Sequence, residues 1–143
     1  MSQLVIVDTD VWSLLFARRG RKDVRISGWR ALLLGSTVAI ATQTRAEVLT
    51  GVLERRLGER QSDMIISQLD RIATIPVSED VVKAYAALSV ATKAVGHALW
   101  RKEHTGDRWI AASANAVGAP LLSGDAIFRG TPTLTLLDSD EDS

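Results

Sequence analysis

Four carboxylates stand at telling places along this chain: Asp8, Glu47, Asp107 and Asp125. Asp8 closes the apolar run Leu4-Val5-Ile6-Val7, and Asp125 follows the shorter run Leu121-Leu122 across Ser123-Gly124. Glu47 and Asp107 fall at or near expected helix starts. If the strands run parallel, these positions converge on one edge of the sheet. Carboxylates brought together repel one another, so a positive ion between them is the first arrangement the spacing points to. The chain has no cysteine, which removes thiolate ligands, and all-oxygen ligation suits Mg²⁺ or Mn²⁺. Taken singly, each acid also has a structural role open to it. Asp8 can make an Asx-turn onto Asp10, Asp107 can cap a helix, Asp125 can serve a turn, and Glu47 can be a solvated helix residue beside Arg45.

The elements that must carry these acids are legible from apolar patterning. Leu4–Val7 is a continuous run rich in β-branched residues, as in a buried strand of a parallel sheet. Thr9 and Asp10 are both good N-caps for a helix over Val11–Ala17. A second helix is expected over Ile26–Leu34, stopped by Gly35, and a second strand over Thr37–Ala41. Thr42 or Thr44 then caps a helix whose apolar face is Val48, Leu49, Val52 and Leu53. After Gly58, Met64, Ile65, Leu69 and Ile72 recur at helical spacing. Ile75-Pro76-Val77 reads as a short strand at an edge or a strand end, because Pro cannot donate to a ladder. Ser78 caps a further helix with Glu79 and Asp80 at its positive end and Val81, Val82, Tyr85 and Leu88 as its stripe. The irregular stretch from Ala94 to Gly106 holds His97 and His104, which read as hydrogen-bonding or surface residues. Asp107 starts a helix bearing Ile110, Ala114 and Val117, ended by Gly118. Ala119–Ser123 and Thr133–Leu137 read as two more strands. Strands alternating with helices argue for an α/β fold with a mainly parallel sheet. Ligands of such sheets bind beyond the carboxyl ends of the strands, where Asp8 and Asp125 fall.

With 143 residues, of which 46% are apolar, the chain suits one folded domain with a sizeable core. We divide it into a single domain over residues 1–137 and an acidic, frayed tail from Asp138 to Ser143. Lys+Arg and Asp+Glu are both 17, so net charge points to neither a nucleic-acid nor a membrane partner. No stretch approaches the roughly 18–20 apolar residues of a membrane span, and Met1-Ser2-Gln3 lacks a basic leader. The expectation is a soluble cytoplasmic protein.

Four segments in order carry a family resemblance: Leu4-Val5-Ile6-Val7-Asp8-Thr9-Asp10, the mid-chain Glu47, Asp107-Arg108-Trp109-Ile110-Ala111-Ala112, and Ser123-Gly124-Asp125-Ala126-Ile127-Phe128. Together they resemble the ordered motifs of PIN-domain nucleases, and most nearly the VapC-type toxins of bacterial toxin–antitoxin pairs. The resemblance spans essentially the whole chain. It implies a three-layer sandwich and an Mg²⁺- or Mn²⁺-dependent endoribonuclease. Its acidic site maps onto Asp8, Glu47, Asp107 and Asp125, with Asp8 and Asp107 or Asp125 as direct ligands and Glu47 acting through a water or as base. Thr9 and Asp10 fall around that site. Gly106 stands where such chains often carry Asn, which removes a side-chain hydrogen bond and loosens the loop. Asp10 stands where they carry a small polar residue, and adds a charge. The resemblance also implies a VapB-type antitoxin partner and a homodimer, and Leu14, Leu15, Leu49 and Leu53 are a candidate seat for an antitoxin segment.

An acidic site repels RNA, so cations must offset it. Arg18, Arg19, Arg21, Lys22, Arg25 and Arg30 form one basic stretch, read either as an RNA contact or as a solvated loop. Arg108 is placed either to pair with a carboxylate or to meet phosphate. Trp12, Trp29, Trp100 and Trp109 can stack on bases, although packing is the commoner role. Two other readings compete: a PIN nuclease of RNA processing outside any toxin pair, and a binding module that keeps the fold without chemistry. A receiver-like phospho-switch needs a late lysine, and none lies beyond Lys102.

Overall fold

The first strand of the chain is buried at three of its four residues. In the computed structural model, which describes residues 2–17 and 23–137, β1 (Leu4–Val7) lies between two partners in a sheet ordered β3-β2-β1-β4. β2 is Thr37–Ala41, β3 Ala73–Ile75 and β4 Leu121–Leu122, and every pairing is parallel. Successive side chains of a strand point to opposite faces, and both faces here are apolar. Ile6, Ala39, Ala41 and Leu121 enter one core cluster, whereas Val5, Val7, Ile40 and Leu122 enter the other. That is why the run Leu4–Val7 does not alternate with polar residues.

Helices cover both faces, completing three layers. On one side α5 (Glu79–Ala94) and α6 (Thr105–Ala116) supply Leu88, Ile110, Ala111 and Ala114. On the other, α1 (Thr9–Trp12), α2 (Arg25–Leu33), α3 (Thr42–Glu54) and α4 (Glu59–Arg71) supply Trp12, Trp29, Val48 and Leu69. Each of the large aliphatic side chains buried this fully contributes roughly 1.5–3 kcal/mol relative to exposure. The α/β reading and the parallel sheet are therefore borne out.

Several local expectations are corrected. The helix after β1 is capped by Asp8 itself, whose Oδ1 accepts from the Val11 amide at 2.9 Å; Thr9 and Asp10 lie inside it. It then rewinds into a π-helical turn over Ser13–Ala17. α3 follows β2 directly, so Ala41 holds the cap position and neither Thr42 nor Thr44 caps it. The Thr42 hydroxyl instead donates to the Ile75 carbonyl at 2.7 Å. β3 is an edge strand that ends before Pro76, which has no N–H to offer. Val82 and Val117 are exposed. Thr133–Leu137 is not a strand. Thr133 sits at φ 69°, and only Leu136 bridges to Leu121, because a left-handed residue turns the chain out of register. The basic run Arg18, Arg19, Arg21 and Lys22 and the tail Asp138–Ser143 lie outside the described residues.

Candidate functional site

Because all strands run parallel, the ends of β1, β2 and β4 open onto one edge. Asp8 follows β1 there, and its amide donates to the Leu122 carbonyl at 3.1 Å, which holds the ends of β1 and β4 level. The side chain is 5% exposed. Its Oδ1 caps α1, while Oδ2 accepts from the Ser123 hydroxyl. The same Ser123 oxygen accepts from the Asp125 amide at 2.9 Å. Ser123 thus ties the backbone of one acid to the carboxylate of another. Burial pushes the Asp8 carboxyl up to about 6 from its ordinary 3.8, with the charges of Asp10 and Asp125 adding to the rise. The hydrogen bonds from Ser123 and Val11 pull the other way but do not cancel it.

Glu47 lies in the second turn of α3 and is drawn to the same edge. The Thr9 hydroxyl, next to Asp8, donates to Glu47 Oε2 at 2.7 Å and sits 3.1 Å from the buried Thr44 hydroxyl. Gln43 Nε2 donates to Glu47 Oε1 at 3.3 Å. Asp107 lies in the first turn of α6, which begins at Thr105, so it is within the helix and does not cap it. Its Oδ2 is 3.0 Å from His104 Nδ1. The start of α6 presses on Glu47: a Cβ on Gly106 would fall 2.9 Å from Gln43 Nε2 and 3.4 Å from Glu47 Oε1. The segment around Gly106 is not a loop. It is the first turn of a helix, and the Gln43 amide fills the space beside it.

Asp125 keeps its turn role while facing this edge. Its Oδ1 accepts from the Ile127 amide at 3.0 Å and caps the 3₁₀ turn Ala126–Phe128. Asp10 is exposed and lines, with Thr9, Glu47, Val48, Val52 and Ile65, a groove of about 130 Å³. The expected apolar seat of Leu14, Leu15, Leu49 and Leu53 is not assembled. The first three pack against the core and Leu53 is exposed on the other side of the helix stripe.

These contacts join Asp8 to Asp125 through Ser123 and hold Glu47 to the neighbouring Thr9, while Asp107 is held by His104, and the four acids are not closed into a cage. Among the described residues no three His, Asp or Glu side chains stand together closely enough to hold one ion. The donor chemistry nonetheless fits a hard divalent cation: the groups are all carboxylates, and Asp8 is buried with two further acids acting on it and its proton affinity raised. A bound cation would reverse that rise.

Arg108 is corrected. Its guanidinium is buried and turned inward, donating to the carbonyls of Leu99 at 2.7 Å and Arg101 at 2.9 Å and to the Tyr85 hydroxyl at 3.0 Å. It braces the turns that lead into α6 and offers nothing to a phosphate. Trp12 and Trp29 are core residues, and Trp109 stacks on Tyr85 at 4.0 Å. Ser123 and Gln43 were missed as site residues. The first had a signal, a hydroxyl two places before Asp125, whereas Gln43 reaches Glu47 only because both lie on one face of α3.

A family model described as the PIN domain matches residues 5–134. A comparison with curated proteins returns no match. Among solved structures, the fold is similar to VapBC2 from Rickettsia felis bound to a DNA fragment from their promoter, with a TM-score of 0.75 and 21% identity over 96% of this chain and 100% of that one. It is also similar to VapBC-1 from nontypeable Haemophilus influenzae, at TM-score 0.72 and 19% identity over 95% and 98% of the two chains. A third likeness is to VapBC-5 from Mycobacterium tuberculosis, a member of the VapBC family of toxin-antitoxin systems, at TM-score 0.65 and 23% identity over 95% and 98%. At such identities the likeness establishes the fold.

Proposed function

This chain belongs to the PIN-domain family, and on that footing we propose that it is a VapC-type toxin that hydrolyses RNA phosphodiester bonds with a carboxylate-bound Mg²⁺ or Mn²⁺. The observation that carries the reading is the Asp8–Ser123–Asp125 linkage at the carboxyl edge of the sheet, with Glu47 tethered to it through Thr9. Asp8, Asp107 and Asp125 would hold the ion, with Glu47 beside them. Bound there, it would acidify a water and neutralise charge developing on the phosphoryl oxygens.

The chain's own groups have separable tasks. The Ser123 hydroxyl orients Asp8 and stabilises its ionised form. Thr9 and Gln43 fix Glu47 from two sides, leaving it half-buried at the edge where it takes a proton from the attacking water. His104 holds Asp107 in place. The partner is a VapB-type antitoxin, a reading supported by the toxin–antitoxin complexes whose fold this chain shares. The protein acts in the cytoplasm as a homodimer. No helix among the described residues is long and apolar enough to cross a membrane.

The test is cleavage of a structured RNA by purified protein in Mg²⁺ or Mn²⁺, with and without chelator, beside Asp8→Asn. Cleavage should vanish with chelator and fall to background in the variant. Undiminished cleavage by Asp8→Asn would sink the metal-site mechanism.

A further inference from the structure

Next to Asp125 the chain builds a cavity of about 160 Å³ whose walls include Arg25, Trp29, Ser123, Gly124, Asp125 and Arg129. Arg25 is held there in a defined pose. Its Nε and Nη2 donate to Asp23 at 3.1 and 2.9 Å, and its guanidinium lies 4.9 Å over the ring of the buried Trp29. A Cβ on Gly124 would fall 2.6 Å from Arg25 Nη1 and 2.9 Å from the Trp29 ring. Only a residue without a side chain lets this stack close onto the loop that carries Ser123 and Asp125. Nη1 therefore faces that loop, and it donates no hydrogen bond among the described residues. Arg129, also exposed, follows the turn that Asp125 caps, and His97 Nε2 anchors its backbone carbonyl at 2.8 Å.

The placement answers a problem the acidic site creates. A polyanion must be brought up to Asp8, Asp107 and Asp125, and Coulomb repulsion opposes it. Arg25 lies close enough to that edge to feel it. Its proton is held above the ordinary range first by the hydrogen bond to Asp23, and also by the charges of Asp23, Asp10 and Asp8. A stacked, side-anchored guanidinium with one donor edge left over is pre-organised for a phosphate oxygen. Trp29 is too buried to receive a base, so recognition here is of backbone and not of sequence.

We propose that Arg25 and Arg129 form a phosphate clamp for single-stranded RNA, holding the phosphodiester next to the one that is cut, with Arg25 Nη1 as the principal donor. The assignment rests on the nuclease reading above and adds a substrate-positioning pair to it.

The test is fluorescence anisotropy with two fluorescein-labelled 12-nucleotide single-stranded RNAs of unrelated sequence, titrated with the full chain in EDTA at several KCl concentrations. Arg25→Gln should weaken both RNAs equally, by about tenfold for one charge-assisted contact, and lower the salt slope by about 0.7. Arg25→Lys should restore the slope, and Lys83→Gln, an exposed cation on α5, should change nothing. Thermal melts of the same variants show that the fold is kept. In Mg²⁺, Arg25→Gln should raise KM while leaving kcat close to that of the parent. Unchanged affinity and slope in a folded Arg25→Gln, or no RNA binding by the parent chain, would overturn the clamp. RNA binding that depends on Arg25 without any cleavage in Mg²⁺ or Mn²⁺ would sink the nuclease reading and leave the clamp standing.

Discussion

Replacing Asp8 by Asn should make the metal-free protein more stable at neutral pH, although the substitution removes a site acid. Asn preserves the shape and caps a helix as well as Asp does, so the Val11 amide keeps its acceptor. What changes is the charge and the group facing Ser123, whose hydroxyl loses the Oδ2 acceptor and meets an amide donor instead. The Asp8 carboxyl titrates near 6 in the folded chain against 3.8 ordinarily, chiefly because it is buried. A raised folded value means that the folded chain holds this proton more tightly than the unfolded chain. The contribution to stability is complete below pH 3.8 and is lost as pH rises through 6. The whole shift is worth about 3 kcal/mol at 1.36 kcal/mol per unit. Asn, always neutral, escapes the loss. Relative to the parent, Asp8→Asn should gain about 3 kcal/mol at pH 8 and about half of that at pH 5. Urea unfolding in EDTA at the two pH values reads both numbers. Mg²⁺ should then narrow or reverse the gap at pH 8, since an ion that binds only the folded parent stabilises it by mass action. A variant less stable than the parent at pH 8 in EDTA, or a gap that does not grow between pH 5 and pH 8, would refute the reasoning.

Three further outcomes follow from the same geometry. Ser123→Ala removes the side-chain hydrogen bond that lowers the Asp8 value, so metal-free stability at pH 8 should fall by about 1–2 kcal/mol. The acid limb of any cleavage activity should move to higher pH, as a pH–rate profile would reveal. Gly124→Ala drives a methyl into Arg25 Nη1 and the Trp29 ring; overpacking of this kind costs about 1–3 kcal/mol, and Trp29 fluorescence should change with it. Arg108→Met leaves the carbonyls of Leu99 and Arg101 without their donor. It should cost about 2–4 kcal/mol, seen as a lowered urea midpoint, while the salt slope of RNA binding stays at the parent value.

Much of the architecture was legible because it depends on local pattern. The run Leu4–Val7 is apolar on both faces because helices lie on both, and a run of that kind is recognisable before any partner is known. Ser78 capping α5 and the edge position of β3 were readable for the same reason. Thr133–Leu137 misled, since its alternating Thr and Leu resemble a strand while its backbone turns at Thr133. Arg108 misled in another way: its neighbour Asp107 suggested a carboxylate or phosphate partner, and helical rotation pointed it into the interior instead.

The sequence by itself determined which acids exist, that no cysteine competes with them, and that parallel strands would bring Asp8 and Asp125 to one edge. Those conclusions need only residue types and periodicity. Tertiary structure alone decided that Ser123 joins Asp8 to Asp125, that Thr9 takes hold of Glu47, and that Arg25 closes over Gly124 onto a buried Trp29. These contacts span up to 115 positions along the chain. They depend on the register between strands and the rotation of each helix on the sheet, quantities set by packing of the whole core and not by any segment within it.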